Sequence, residues 1–131
     1  MRGYTEEGVY TVLKDVALSV SPNAYVTGRY MPIPPSFPCV FMREINRPET
    51  RQGMQLDAQD EQWESNFEIQ VSSNLKTGAK IEATKISKAL EAKMKQLYYR
   101  KVSDTPIDDG EKYTLALRFR RVIGGGDTMP E

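Results

Sequence analysis

Residues 63–72 constrain the fold more than any other stretch of this chain. Trp63, Phe67, Ile69 and Val71 alternate with Glu64, Asn66, Glu68, Gln70 and Ser72, and only Ser65 interrupts the apolar side. A period of two puts successive side chains on opposite faces of a strand, so this segment has one face to bury and one to leave in water. Such a strand needs neighbouring strands for its backbone and a second layer for its apolar face.

Both are available in the sequence. Residues 6–20 predict a helix, because Val9, Val12, Leu13, Val16, Ala17 and Val20 recur at helical spacing on one side. Thr5 is a suitable N-cap, Glu6 and Glu7 suit the positive end of the helix dipole, and Pro22 with Asn23 ends the run. Four valines make it a mediocre helix former that depends on tertiary packing. A second helix is predicted over 76–100, striped by Ala83, Ile86, Leu90, Met94 and Leu97, with Asn74 or Thr77 as cap and lysines on the other faces. Shorter strands are predicted at 24–31 and 39–45, and a final one at 112–123, with Tyr113, Leu115, Leu117 and Phe119 inward and Arg118 and Arg120 outward.

Three stretches read as connections. Prolines at 32, 34, 35 and 38 make 31–38 an extended, polyproline-like segment. Residues 46–62 are polar and without period, a length typical of functional or mobile loops. Asp104, Pro106, Asp108, Asp109 and Gly110 predict a turn-rich link before the last strand. The expected architecture is α+β, a small mixed or antiparallel sheet packed with two helices in the order α-β-β-β-α-β. Its final strand–helix–strand unit is expected to cross over right-handedly. Residues 1–123 form the single domain and 124–131 a flexible tail.

Composition narrows the chemistry. With 131 residues, one domain with an economical core is feasible. Lys plus Arg and Asp plus Glu are 18 each, so the chain lacks the basic excess that phosphate binding usually brings, and no sequence-specific nucleic-acid partner is expected. There is no histidine, which removes imidazole acid–base chemistry and His-ligated metals. The one cysteine, Cys39, can form no intrachain disulfide and reads as a small buried apolar residue. No signal peptide or membrane span is expected, and the chain is expected to fold in the cytoplasm. Gly124, Gly125 and Gly126 lack the Lys-Ser/Thr and following helix of a phosphate loop. Asp57, Asp60 and Glu61, and again Asp108, Asp109 and Glu111, match no ion-binding spacing and read as solvated loops. Trp63 reads as core. No catalytic, cofactor or metal site is expected.

What remains is surface. Cys39, Phe41 and Ile45 share a strand face with Arg43, while Val40 and Met42 lie opposite with Glu44, so one face can meet the core and the other a neighbour. Arg118, Arg120 and Arg121, with Lys112, make the last strand basic. The plain reading is a solvated face with edge protection. The sharper one pairs Arg118, Arg120 and Arg121 with acidic residues such as Asp57, Asp60 and Glu61 across a subunit interface.

The stretches FPCVFMREINRPETRQG, ESNFEIQVSSN, KISKALEAKMKQLYYRK and KYTLALRFRRVIGGG occur in that order. Over residues 8–123 the chain resembles the tail-terminator or tail-completion proteins of long-tailed phages and prophages. The resemblance lies in element order and texture, without a catalytic motif. It implies a non-enzymatic structural protein of the virion, a homohexameric ring at the head-proximal end of the tail, assembled in the bacterial host cytoplasm. The ring would cap the tail tube protein, stop its polymerisation and face a head-completion or connector protein. The proline run at 32–38 and the length of the 46–62 loop depart from the family pattern, and either could instead fit another head–tail neck component. A small carboxylate-metal enzyme would require Asp57, Asp60 and Glu61 to converge with Asp108 and Asp109, and a monomeric binding module would show itself by mass.

Overall fold

The computed structural model describes residues 5–46 and 62–124, together with Asp127 and Met129. Its elements are α1 (Glu6–Val20), β1 (Tyr25–Thr27), β2 (Cys39–Asn46), β3 (Gln62–Ser73), α2 (Ala79–Gln96), β4 (Arg100–Asp108) and β5 (Tyr113–Gly124). The strands form one mixed sheet in the order β1-β2-β3-β5-β4. The α+β class and the two helices are as expected. The fifth strand is not.

β4 occupies the stretch read as a turn-rich link. It pairs antiparallel with β5 along its length and forms a sheet edge. Asp104, Pro106 and Asp108 are poor residues for a central strand, which is why they resemble loop sequence. An edge tolerates them, because a proline there need not donate to a second neighbour and charges discourage stray pairing. β5 lies between β3 and β4, so the edge-protection reading of its arginines is wrong: they stand on an interior strand. The parallel pair bridged by α2 is therefore β3 and β4, both antiparallel to the β5 that separates them. The strand expected at 24–31 shrinks to the three residues of β1, which runs parallel to β2 with Tyr25 opposite Cys39.

The register explains the core. Val40, Val71 and Leu115 lie in one row across β2, β3 and β5, and Met42, Ile69 and Leu117 in the next. Phe67 and Phe119 pair beyond them. All eight are buried on the face covered by the helices. α1 contributes Val9, Leu13 and Ala17, spaced four residues apart, and α2 contributes Ala83, Ile86, Leu90 and Met94. Each large apolar side chain buried this way stabilises the fold by about 1.5–3 kcal/mol.

α1 begins as expected, with the Thr5 hydroxyl oxygen accepting from the Gly8 N–H at 3.0 Å. α2 is shorter than the predicted 76–100 at both ends. Neither Asn74 nor Thr77 caps it; Gly78 does, at φ 90°, without a side-chain cap. It stops at Tyr98, which takes the left-handed conformation at φ 66°. That place usually belongs to glycine, and a tyrosine there costs roughly 1–2 kcal/mol. The stop therefore has no sequence signal. The turn is secured by the Tyr99 N–H donating to the Met94 carbonyl at 2.9 Å.

Ser65, the polar break on the apolar face of β3, is buried. Its hydroxyl lies 2.7 Å from the Tyr99 hydroxyl and donates to Glu44 Oε2, also at 2.7 Å. A buried hydroxyl must be paired, and here it ties β2, β3 and the exit of α2 together. The loop at 46–62 falls almost wholly outside the described residues. Of the tail, Met129 is buried in the core, and the Asp127 carboxylate accepts from the Gly124 N–H at 2.8 Å.

Candidate functional site

The sheet face away from the helices has a different composition. Antiparallel register places Arg43, Glu68 and Arg118 in one row across β2, β3 and β5. The Glu68 carboxylate is buried between the two guanidiniums, 3.6 Å from Arg43 Nε and 3.5 Å from Arg118 Nη2. One row further, Asn66, Arg120 and Arg100 stand side by side across β3, β5 and β4. Arg120 Nε reaches diagonally to Glu64 Oε1 at 2.8 Å. Four arginines and two glutamates therefore share this end of the face. The guanidiniums of Arg43, Arg118 and Arg120 are each about half exposed, so these ion pairs contribute little to stability while keeping the side chains ordered.

Of the six residues expected to form an interface, Arg118 and Arg120 lie on this outer face. Arg121 does not. It points the other way along β5, where Nη1 donates to the Leu97 carbonyl at the end of α2 (2.8 Å) and Nη2 pairs with Asp127 (3.0 Å). Its guanidinium also lies over the Tyr98 ring at 5.4 Å. A cation at a helix C-terminus is favourable, and Arg121 here fixes the strained exit of α2. Asp57, Asp60 and Glu61 lie outside the described residues.

At the other end of the face, the prolyl segment folds back over β2 and β3. Tyr30 packs edge-on against Phe41 at 5.8 Å, and Lys112 Nζ donates to the Pro32 carbonyl at 3.0 Å. The apolar outer residues Cys39 and Phe41 are thus covered by their own chain. A small pocket of about 200 Å³ remains beneath, lined in part by Met31, Pro34, Gln70 and Ile107. Cys39 is buried as expected, and burial pushes its thiol pKa up, with Lys112 partly opposing the shift.

The hairpin acids are turn-formers. Asp108 Oδ1 accepts from the Gly110 N–H, and Asp109 Oδ1 from the N–H groups of Glu111 and Lys112. The backbone bond from Lys112, then that from Glu111, holds the Asp109 carboxyl below its ordinary range. Among the described residues no group of three His, Cys, Asp or Glu side chains gathers as metal ligands do. Gly124 ends β5 with its N–H on Asp127, an arrangement unlike a phosphate loop. Trp63 is half-buried. No helix among the described residues is long and apolar enough to cross a membrane.

Arg100, Glu64 and Glu68 also belong to this surface, although the sequence does not single them out. Arg100 falls within the helix predicted over 76–100. The two glutamates carried a usable signal, since their phase in the alternation of β3 is that of the solvent face.

No family model matches the sequence, and no curated protein matches it either. In structure the chain is similar to a chain in the virion of a native gene transfer agent (GTA) particle. The TM-score is 0.65 at 14% sequence identity, over 94% of this chain and 100% of that one. At this identity the likeness is one of fold.

Proposed function

We propose that this chain is a non-catalytic structural subunit of a phage-like virion. In the specific form of the proposal it is the tail terminator. Copies of the chain form a ring, a hexamer by family resemblance, at the head-proximal end of the tail, where it ends polymerisation of the tail tube protein and meets a head-completion or connector protein. The observation that carries this reading is the likeness in fold, along nearly the whole of both chains, to a component of a gene transfer agent virion. The ordered but half-exposed arginines of the outer sheet face support it, because a surface of fixed charges suits selective docking more than it suits stability.

The test is genetic and microscopic. Removing the coding sequence from a strain that makes the particles is expected to give tails of abnormal length that fail to join heads. Normal-length tails lacking heads would move the chain to another station of the neck. Normal, head-joined tails at full yield would end the virion-assembly reading.

A further inference from the structure

The turn that follows α2 and the adjoining ends of β4 and β5 frame an open cleft of about 440 Å³, lined by Tyr98, Arg100, Arg120, Arg121 and Val122. Arg100 and Arg120 are directly opposite on neighbouring strands. Like charges in that position repel, so an added anion there would be stabilising. Arg120 is answered by Glu64 and Arg121 by Asp127. Arg100 is exposed and has no acidic partner among the described residues. Tyr98, also exposed, supplies an aromatic wall.

The same two strands end, at their other extremity, in the acidic hairpin. Asp108 and Asp109 each commit Oδ1 to a backbone N–H of the turn. The Glu111 carboxylate is exposed and has no partner among the described residues. Lys112 lies beside Asp109, and its ammonium donates to the Pro32 carbonyl. Along β4 the hairpin stands about 26 Å from Arg100, at roughly 3.3 Å per residue. The acids of a hairpin therefore do not reach the arginines of their own copy.

We propose that the β4–β5 hairpin of one copy seats its acidic side chains in the Tyr98–Arg100–Arg120 cleft of the next copy. The contact is head-to-tail, between two different patches of the same chain, and contacts of that kind close into rings or run on as filaments. It deepens the ring-subunit reading and rests on it. A protein carboxylate suits the cleft better than a nucleic-acid backbone does. The chain as a whole carries no basic excess of the kind that phosphate-backbone binding draws on.

The test is a charge swap. Arg100→Glu and Glu111→Lys both alter exposed side chains that pack against nothing in the core, so each variant is expected to keep the wild-type melting curve. Self-association is measured by sedimentation velocity of the intact chain over a wide concentration range at low salt. Each single variant is expected to weaken association by about tenfold or more, and the double variant to return to within about threefold of wild type. Singles that associate like wild type, a double no better than either single, or a wild type that stays monomeric throughout would each overturn the contact. Where a reversal loses the fold, Arg100→Gln and Glu111→Gln replace it. Their losses should then fall short of additive, and additive losses overturn the proposal. A short DNA duplex that binds wild type and is lost in Arg100→Glu, with the protein's own mass unchanged, would assign the cleft to phosphates instead. A failed swap in a protein whose deletion still gives aberrant tails removes only this contact, whereas normal tails on deletion remove the virion reading itself.

Discussion

The two faces of the sheet are made from the same strands in the same register, yet they follow opposite rules. On the helix side, rows such as Met42, Ile69 and Leu117 are buried and interchangeable in kind; what matters is that they fill space. On the other side, the Arg43–Glu68–Arg118 row holds charges in fixed places at the water boundary. The inner face stabilises the domain. The outer face contributes little stability, because its arginines are half-exposed.

This contrast predicts a gradient of mutational effect. The largest loss is expected at Leu90, fully buried at the centre of α2. Leu90→Ala should destabilise the chain by about 2–5 kcal/mol in denaturant unfolding, and an unchanged midpoint would mean that the helix layer does not form the core. A smaller loss is expected at Ser65, where the alanine variant should cost about 1–3 kcal/mol by removing its buried hydrogen bonds with the Tyr99 hydroxyl and the Glu44 carboxylate. A neutral result there would show that water replaces the hydroxyl without penalty. The smallest is expected on the outer face. Glu68→Gln should cost about 1 kcal/mol or less, and high salt should shrink the difference further, because both guanidiniums are half-exposed. A loss as large as that at Leu90 would erase the distinction between the faces.

The parts of the fold that could be read from sequence were those with strong periodicity. The alternation of 63–72 and the spacing of Val9, Leu13 and Ala17 follow from burial on one side, and burial is what orders them. The parts that could not be read depend on position in the sheet. β4 is recognisable only once it is known to be an edge, since Asp104, Pro106 and Asp108 are tolerated together there but fit the middle of an interior strand poorly. The end of α2 was overrun because tertiary contacts, Arg121 on the Leu97 carbonyl among them, hold Tyr98 in a conformation its own side chain disfavours. The candidate site divides in the same way. Arg118 and Arg120 could be placed outward from strand phase alone. Arg121 is one residue further on, and that single step turns it to the opposite face. Arg100 depends on where the helix stops, and the charge pairing across strands depends on a register that no local pattern contains.

Glutamate substitutions at Arg118 and Arg120 would place new carboxylates beside Glu68 and Glu64 and disturb the fold as well as the surface. Arg118→Gln/Arg120→Gln avoids this and separates the two faces directly. The decisive measurement is electron microscopy of particles assembled with that double variant, taken beside its melting curve. The expected result is a protein that melts close to wild type but gives tails of abnormal length or tails unattached to heads. Normal-length, head-joined tails at wild-type yield from the same folded variant would contradict the proposed role of the outer sheet face in assembly.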